Sequence, residues 1–400
     1  MNKELKNIFI FYIIIQTLSL FYILSSGYLN VYFFIYDSDI FWLFFSYVVS
    51  FIPYLFLFVF LSRKNKSSKY ISIAEFKHFD KIVIGLLLIN IFLSLTYKVG
   101  LYAQNQIYEV PFFIKPFIVI VNKLDMYIFS GLLLMSNRFS RTNKLIVIVL
   151  LIILSISRAS IIVFLFLFLV FIANGSIKFR LKQILLICLI IITTFEYLPK
   201  LFEYREVLRK GDSAKNIEIS DSKELNDFIK SKVIGRISSL SSIAFFYQNN
   251  SEIKKTHDQV GSLEYIIEGF RPFYGGIIRE NKIGYTYYFT NFYDNTAGVD
   301  YGIMYGLPSV FLVSYFKGLH VFLLNLMFIF TLVYSVIILS SFLFGDVYRE
   351  FCFVLLFYPM MSGVPSEFGQ IILYLLFISF LKILYTSYLK YRLNNLINSE

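Results

Sequence analysis

The chain has 400 residues, 58% of them hydrophobic and only 16% charged, with a formal net charge of +11. A mean hydropathy of +0.69 excludes an ordinary soluble globule. The two cysteines, Cys188 and Cys352, lie inside apolar runs without metal-ligand spacing, which excludes a disulfide framework and a zinc site. The basic residues are scattered through short loops and form no stripe interleaved with aromatics, so they speak for orientation in a bilayer and not for nucleic acid.

The pattern predicts an all-α, polytopic integral membrane protein. A helix needs about 20 apolar residues to cross a hydrocarbon core of roughly 30 Å. Residues 8–26 are too long for a signal-peptide core and read as a retained first span. They lead to an acidic loop with Asp37 and Asp39, and residues 40–61 return to a loop rich in lysine. Residues 82–98 and 117–136 make the next pair, followed by Arg138, Arg141 and Lys144. This alternation of basic and non-basic loops puts the N-terminus in the cytoplasm.

The apolar run from Leu145 to Ala173 would exceed roughly 40 Å as one helix at about 1.5 Å per residue, yet basic clusters flank both its ends. Two short crossings hinged at residues 155–160 satisfy the charge rule, with Arg158 at the outer face. Residues 183–198 then lead out into a polar segment. Between Pro199 and Asp300 the charges balance at 14 basic against 14 acidic, so the whole net charge lies outside that segment. A long balanced loop crosses regardless of its charge.

Within this segment residues 196–210 have helical character, with Arg205 and Arg209 on one face. A second helix starts at Asp221 with Glu224 in the capping-box position, and its apolar stripe includes Arg236. Beyond residue 270 the segment turns aromatic. After it come a short re-entrant piece at 302–316, a span at 318–344, and two closing spans at 350–363 and 370–388. The layout is thus about ten spans, with an upper bound of about twelve. It divides into an N-terminal bundle (1–198, about seven spans), a large, largely helical periplasmic loop (199–301), and a C-terminal membrane part (302–400) with the re-entrant piece and about three spans. Both termini are cytoplasmic.

Four constellations could carry chemistry. Arg158, Arg205, Arg209, Arg236, Arg271 and Arg279 lie on the outer side, where guanidinium forks suit a lipid-linked phosphate or pyrophosphate. The competing reading is a solvated face paired with Glu203, Glu206 and Glu268. The aromatic stretch 270–305 fits carbohydrate stacking and membrane-interface anchoring equally. His257 is a candidate general base, with Asp294, Asp300 and Glu264 as rivals. Asp37 and Asp39 resemble the metal-binding pair of some membrane glycosyltransferases. Inside the spans, Lys123 and Asp125 are expected to pair with each other or with backbone, and Glu367 sits at an outer hinge.

Short-loop spans, Ser157-Arg-Ala-Ser160 at the head of one span, a large loop carrying Gly235-Arg-Ile-Ser-Ser-Leu240, and the stretch from Asp294-Asn295 to Gly302-Ile-Met-Tyr-Gly306 together resemble the O-antigen polymerase (Wzy) family, itself similar to O-antigen ligases. The resemblance covers the layout of nearly the whole chain. Where the larger group has a His-Asn pair before the glycine-rich entry to a span, this sequence reads Asp294-Asn295, so His257 and Asp294 compete as the base. The resemblance implies an enzyme of the bacterial inner membrane that moves a growing glycan from undecaprenyl pyrophosphate to the terminal sugar of a new lipid-linked repeat. On that reading the outer arginines Arg158, Arg205, Arg209, Arg236 and Arg271 are assigned to the pyrophosphate, although Arg271 and Arg279 taken singly read better as a solvated face; no metal and no cofactor are called for. Membrane lipid and a chain-length regulator would be the further partners. The rival readings are a flippase or exporter of lipid-linked oligosaccharide, and a metal-dependent glycosyltransferase using Asp37 and Asp39.

Overall fold

A computed structural model describes residues 3–31, 34–63, 70–97, 111–158, 162–176, 238–274, 284–293 and 304–397. Among them, six helical segments are long and apolar enough to cross a membrane: Lys3–Ser26, Ile40–Arg63, Phe79–Tyr97, Lys115–Met135, Leu319–Ser362 and Pro365–Leu389. The chain is a multi-pass helical membrane protein.

Helix α1 (Lys3–Ser26) buries Leu5, Ile8, Tyr12, Ile15, Ser19 and Ile23, the three- and four-residue spacing of one helical face, while Leu18 and Phe21 stay outside on the lipid-facing side. It ends at Gly27, whose φ of 75° lets the chain turn into a hairpin of β1 (Tyr28–Val31) and β2 (Phe34–Asp37), with Tyr28 paired to Asp37. Helix α2 (Ile40–Arg63) returns beside α1. Tyr12 stacks on Tyr54 with ring centroids 3.6 Å apart and donates to the Ser50 carbonyl, so a polar pair inside the bundle is fully bonded.

Helix α3 (Phe79–Tyr97) follows the expected third span. The fourth, expected as one run, is broken into α4 (Lys115–Lys123) and α5 (Met126–Met135). The break is Asp125, whose carboxylate accepts the N–H groups of Tyr127 and Ile128 at 2.8 and 3.0 Å. A short acid competes with the helix for backbone donors and restarts it as the N-cap of the next one, with only Leu124 and Asp125 between the two. Backbone is thus among its partners, in line with one of the two expectations. Beyond α5 lie α6 (Arg141–Arg158) and α7 (Ile162–Ala173); the residues at which the expected hinge would turn fall outside the described ones.

The described part of the polar segment is helical: α8 (Leu240–Gln248), α9 (Asn250–Thr256), α10 (Glu264–Tyr274) and α11 (Tyr285–Tyr293). The helices expected at 196–210 and from Asp221 lie outside the described residues. Helix α12 (Leu307–Lys317) and α13 (Leu319–Phe344), separated by Gly318 at φ 122°, match the expected short piece and full span. The closing helices are α14 (Tyr348–Ser362) and α15 (Pro365–Ile397). Only Gly363 and Val364 separate them, so most of the joint expected at 363–370 is the first turn of α15.

The two ends of the bundle differ. At the hairpin end, Gln248 of α8 donates to the Asp37 carbonyl and accepts from the Asp39 N–H. At the other end, Arg138 donates to the Glu75 carbonyl and Asn143 to Asp80, and Glu4 lies against Gly175. The Lys382 ammonium donates to the carbonyls of Ile71 and Phe342. The described parts of the loops after α2 (residues 70–78) and α5 (residues 136–140) therefore share one end with the start of α1.

Candidate functional site

Helix α10 carries two unlike faces. Tyr265, Glu268 and Gly269 are buried, whereas Ile267, Phe270 and Arg271 are exposed. The buried face is pressed onto α15 and α13 by missing side chains: a β-carbon on Gly369 would lie 2.0 Å from the Gly269 carbonyl oxygen, and one on Gly269 would lie 2.5 Å from the Phe328 ring. Small residues at a crossing let backbones approach closely. That approach carries Glu268 inward.

Glu268 is 7% exposed, and its two carboxylate oxygens accept the Thr286 N–H at 3.2 and 3.3 Å, in the first turn of α11. Gly284 makes room, since a β-carbon there would lie 2.1 Å from Glu268 Oε1. Burial pushes the Glu268 carboxyl up to about 7, against the Thr286 N–H and the Arg271 charge, which pull it down; Glu264 adds to the rise. A helix-capping carboxylate is ordinarily held low by the N-terminal dipole. Here desolvation outweighs that pull.

Two tyrosines border the carboxyl. Burial, with Glu268 and Glu367 adding, raises the hydroxyls of Tyr265 and Tyr305 well above 10, so both stay protonated. Tyr265 donates to the Gly363 carbonyl at 2.9 Å, and the Tyr305 hydroxyl lies 3.4 Å from Thr286 Oγ1. The Tyr305 and Gly306 N–H groups donate to the Ser362 carbonyl at 3.1 and 2.8 Å, and Ser362 Oγ donates to the Glu367 carboxylate. The entry to α12 and the joint between α14 and α15 therefore interlock. Gly363, at φ 75°, leaves no room for a side chain against the Gly306 carbonyl carbon, 2.6 Å from where a β-carbon would sit. Chemically, the group offers a proton acceptor active at neutral pH in a buried setting, with a guanidinium one helical turn away.

Of the residues singled out in the sequence, Arg271 sits on the same helix as Glu268, three residues on. His257 follows α9, with Nδ1 2.8 Å from the Lys254 carbonyl and Nε2 3.4 Å from Asp258. Its own carbonyl accepts from Lys317 at 3.1 Å, which ties it to the end of α12. Arg158 is the last residue of α6. Its side chain, together with Arg205, Arg209, Arg236, Arg279, Asp294 and Asp300, lies outside the described residues. Asp39 caps α2, accepting the Trp42 N–H at 3.2 Å, and Asp37 is exposed on the hairpin. Among the described residues no group of three or more His, Cys, Asp or Glu could hold a metal ion.

Sequence reasoning placed Glu268 among counter-charges for arginine. One signal could have found it: Glu268 shares a helical face with Tyr265, Gly269 and Pro272, away from Leu263 and Ile267. No protein-family model matches this chain, and no curated protein or solved structure matches it either.

Proposed function

We propose that this chain is a polysaccharide polymerase of the bacterial inner membrane. It would transfer a growing glycan from undecaprenyl pyrophosphate to the terminal sugar of a new lipid-linked repeat, at the periplasmic face and with both termini in the cytoplasm. The observation that carries the reading is Glu268: a carboxyl buried beside the membrane-spanning helices, raised to about 7, one turn from an exposed arginine. Proton abstraction from a sugar hydroxyl near neutral pH needs such a base, since efficiency peaks when its pKa lies near the working pH.

In the reaction, the acceptor hydroxyl oxygen attacks the anomeric carbon of the donor's reducing-end sugar. The bond from that carbon to the pyrophosphate oxygen breaks, undecaprenyl pyrophosphate departs with the electron pair, and the hydroxyl proton passes to Glu268. The leaving group needs charge neutralisation more than a proton, a task suited to arginines. We assign it to Arg271 with Arg158, Arg205, Arg209 and Arg236. We assign the proton to Glu268 in preference to His257, because the Glu268 carboxyl is buried and the His257 ring is engaged by neighbours on its own loop.

The test is a gel of surface polysaccharide from a strain lacking the protein, complemented with wild type or with Glu268→Gln. Glycan stopping at one capped repeat in the deletion strain and with Glu268→Gln, and a full ladder with wild type, supports both function and base. An unchanged ladder in the deletion strain overturns the function. Lipid-linked repeats trapped on the cytoplasmic side point instead to a flippase.

A further inference from the structure

The face of α10 opposite Glu268 is not explained by the chemistry above. Leu263, just before the helix, and Ile267, Phe270 and Tyr274 within it recur at four, three and four residues, so they form one stripe. Leu263 is 57% exposed and Phe270 48%, with Ile267 and Phe273 also exposed. On a water-facing helix so continuous an apolar stripe would be costly. Its position removes the difficulty. Gly269 and Phe270 pack on Phe328 of α13, the latter pair with ring centroids 5.7 Å apart. Phe328 lies nine residues past Leu319, roughly 13 Å along the helix at about 1.5 Å per residue. The far end of α13, at Phe342 and Gly345, contacts Lys382 and Ser72 at the opposite end of the bundle. Helix α10 thus lies beside a spanning helix well inside its length. Its stripe continues the exposed apolar surface that α13 presents through Leu323, Leu324 and Met327.

Arg271 stands at the edge of that stripe. It is exposed, and among the described residues no ion pair to it is seen. A guanidinium bordering lipid reaches toward phosphate and binds it bidentately. On the helical wheel it falls between the stripe and Glu268, so one helix carries an apolar track, then a cation, then a buried acid, in that order around its circumference.

We propose that α10 is the lipid-docking helix of this protein. An isoprenoid phosphate from the adjoining leaflet lays its chain along Leu263, Ile267 and Phe270, and Arg271 receives its phosphate. The identity of the lipid rests on the polymerase reading; the docking itself does not.

The experiment uses the full-length protein in phosphatidylcholine nanodiscs, with a photo-cross-linking phenylalanine analogue at Ile267 or Phe270 and radiolabelled undecaprenyl phosphate as probe. Cross-linking is expected at both positions. Excess unlabelled undecaprenyl phosphate should compete, and undecaprenol, which lacks the phosphate, should not. Arg271→Gln should weaken labelling at least fivefold, and Arg271→Lys should restore most of it, which a folding defect at that position would not predict. Absence of labelling overturns the docking surface. Equal competition by undecaprenol, or labelling indifferent to Arg271→Gln, overturns the phosphate role. Because the readout is binding without turnover, phosphate-dependent labelling in a protein whose deletion leaves the glycan ladder intact would sink the polymerase reading and leave the docking site standing.

Discussion

Gly284 and Glu268 occupy one space: a β-carbon on Gly284 would lie 2.1 Å from Glu268 Oε1. The atom it meets is the end of a flexible side chain, so the carboxylate swings away at little cost. Gly284→Ala should therefore keep the protein folded, with a thermal midpoint near wild type, and still reduce transfer by about tenfold or more through a misplaced base. Glycan-ladder length beside a melting curve in detergent checks it. A full-length ladder would show that Glu268 need not occupy its observed place.

Proton transfer to Glu268 requires the ionised form. With its carboxyl at about 7, the transfer rate should rise with pH through that value and level off above it. Glu268→Gln should lower the rate by about 10² to 10⁴ and remove that rise. Stability should run the other way. Between the ordinary 4.5 and about 7 the folded chain holds a proton that the unfolded chain has released, so stability falls as pH rises across that window and is flat beyond it. Rates and melting points measured from pH 5 to 8.5 test both slopes.

At the α10–α15 crossing the neighbour is backbone and cannot turn away. A methyl on Gly369 meets the Gly269 carbonyl oxygen at 2.0 Å, so Gly369→Ala must force the helices apart. Overpacking of this kind costs about 1 to 3 kcal/mol. Because the same contact buries Glu268, the variant should lose both thermal stability and transfer. A variant with wild-type melting would mean that the crossing is looser than the geometry shows.

Asp39 separates the metal-dependent alternative from the metal-free one. As the cap of α2 it can be replaced by asparagine, which caps as well as aspartate. Asp39→Asn should then retain transfer within about twofold, and EDTA should have no effect. Loss of activity in either arm, restored by divalent cation, would return the Asp37–Asp39 pair to consideration.

Much of the bundle is readable because its physics is local. The spacing of Leu5, Ile8, Tyr12 and Ile15 marks a buried face on α1. Asp125 is harder, since an acid in an apolar run reads as an ion-pair partner until its two backbone donors are seen. Glu268 is harder still. Its burial is decided by Gly369, about a hundred residues away, and by Gly284 beyond the end of its own helix. No window of sequence spans those contacts, so an acid one turn from an arginine looks like half of a surface ion pair.

The Lys382 ammonium joins the carbonyl of Ile71, in the loop before α3, to that of Phe342, near the end of α13. Three stretches remote in sequence are thereby riveted at one end of the bundle, and a buried cation shared by two carbonyls is expensive to release. Like a fan pinned at its handle, the helices α13 and α15 are expected to separate first toward the hairpin end, where α10 packs against both. Lys382→Met should unpin the handle: hydrogen exchange should quicken at residues 70–76 and 340–347, while the Glu268 neighbourhood keeps its wild-type protection. Faster exchange spread evenly along both helices would mean that the bundle moves as a whole and has no fixed end.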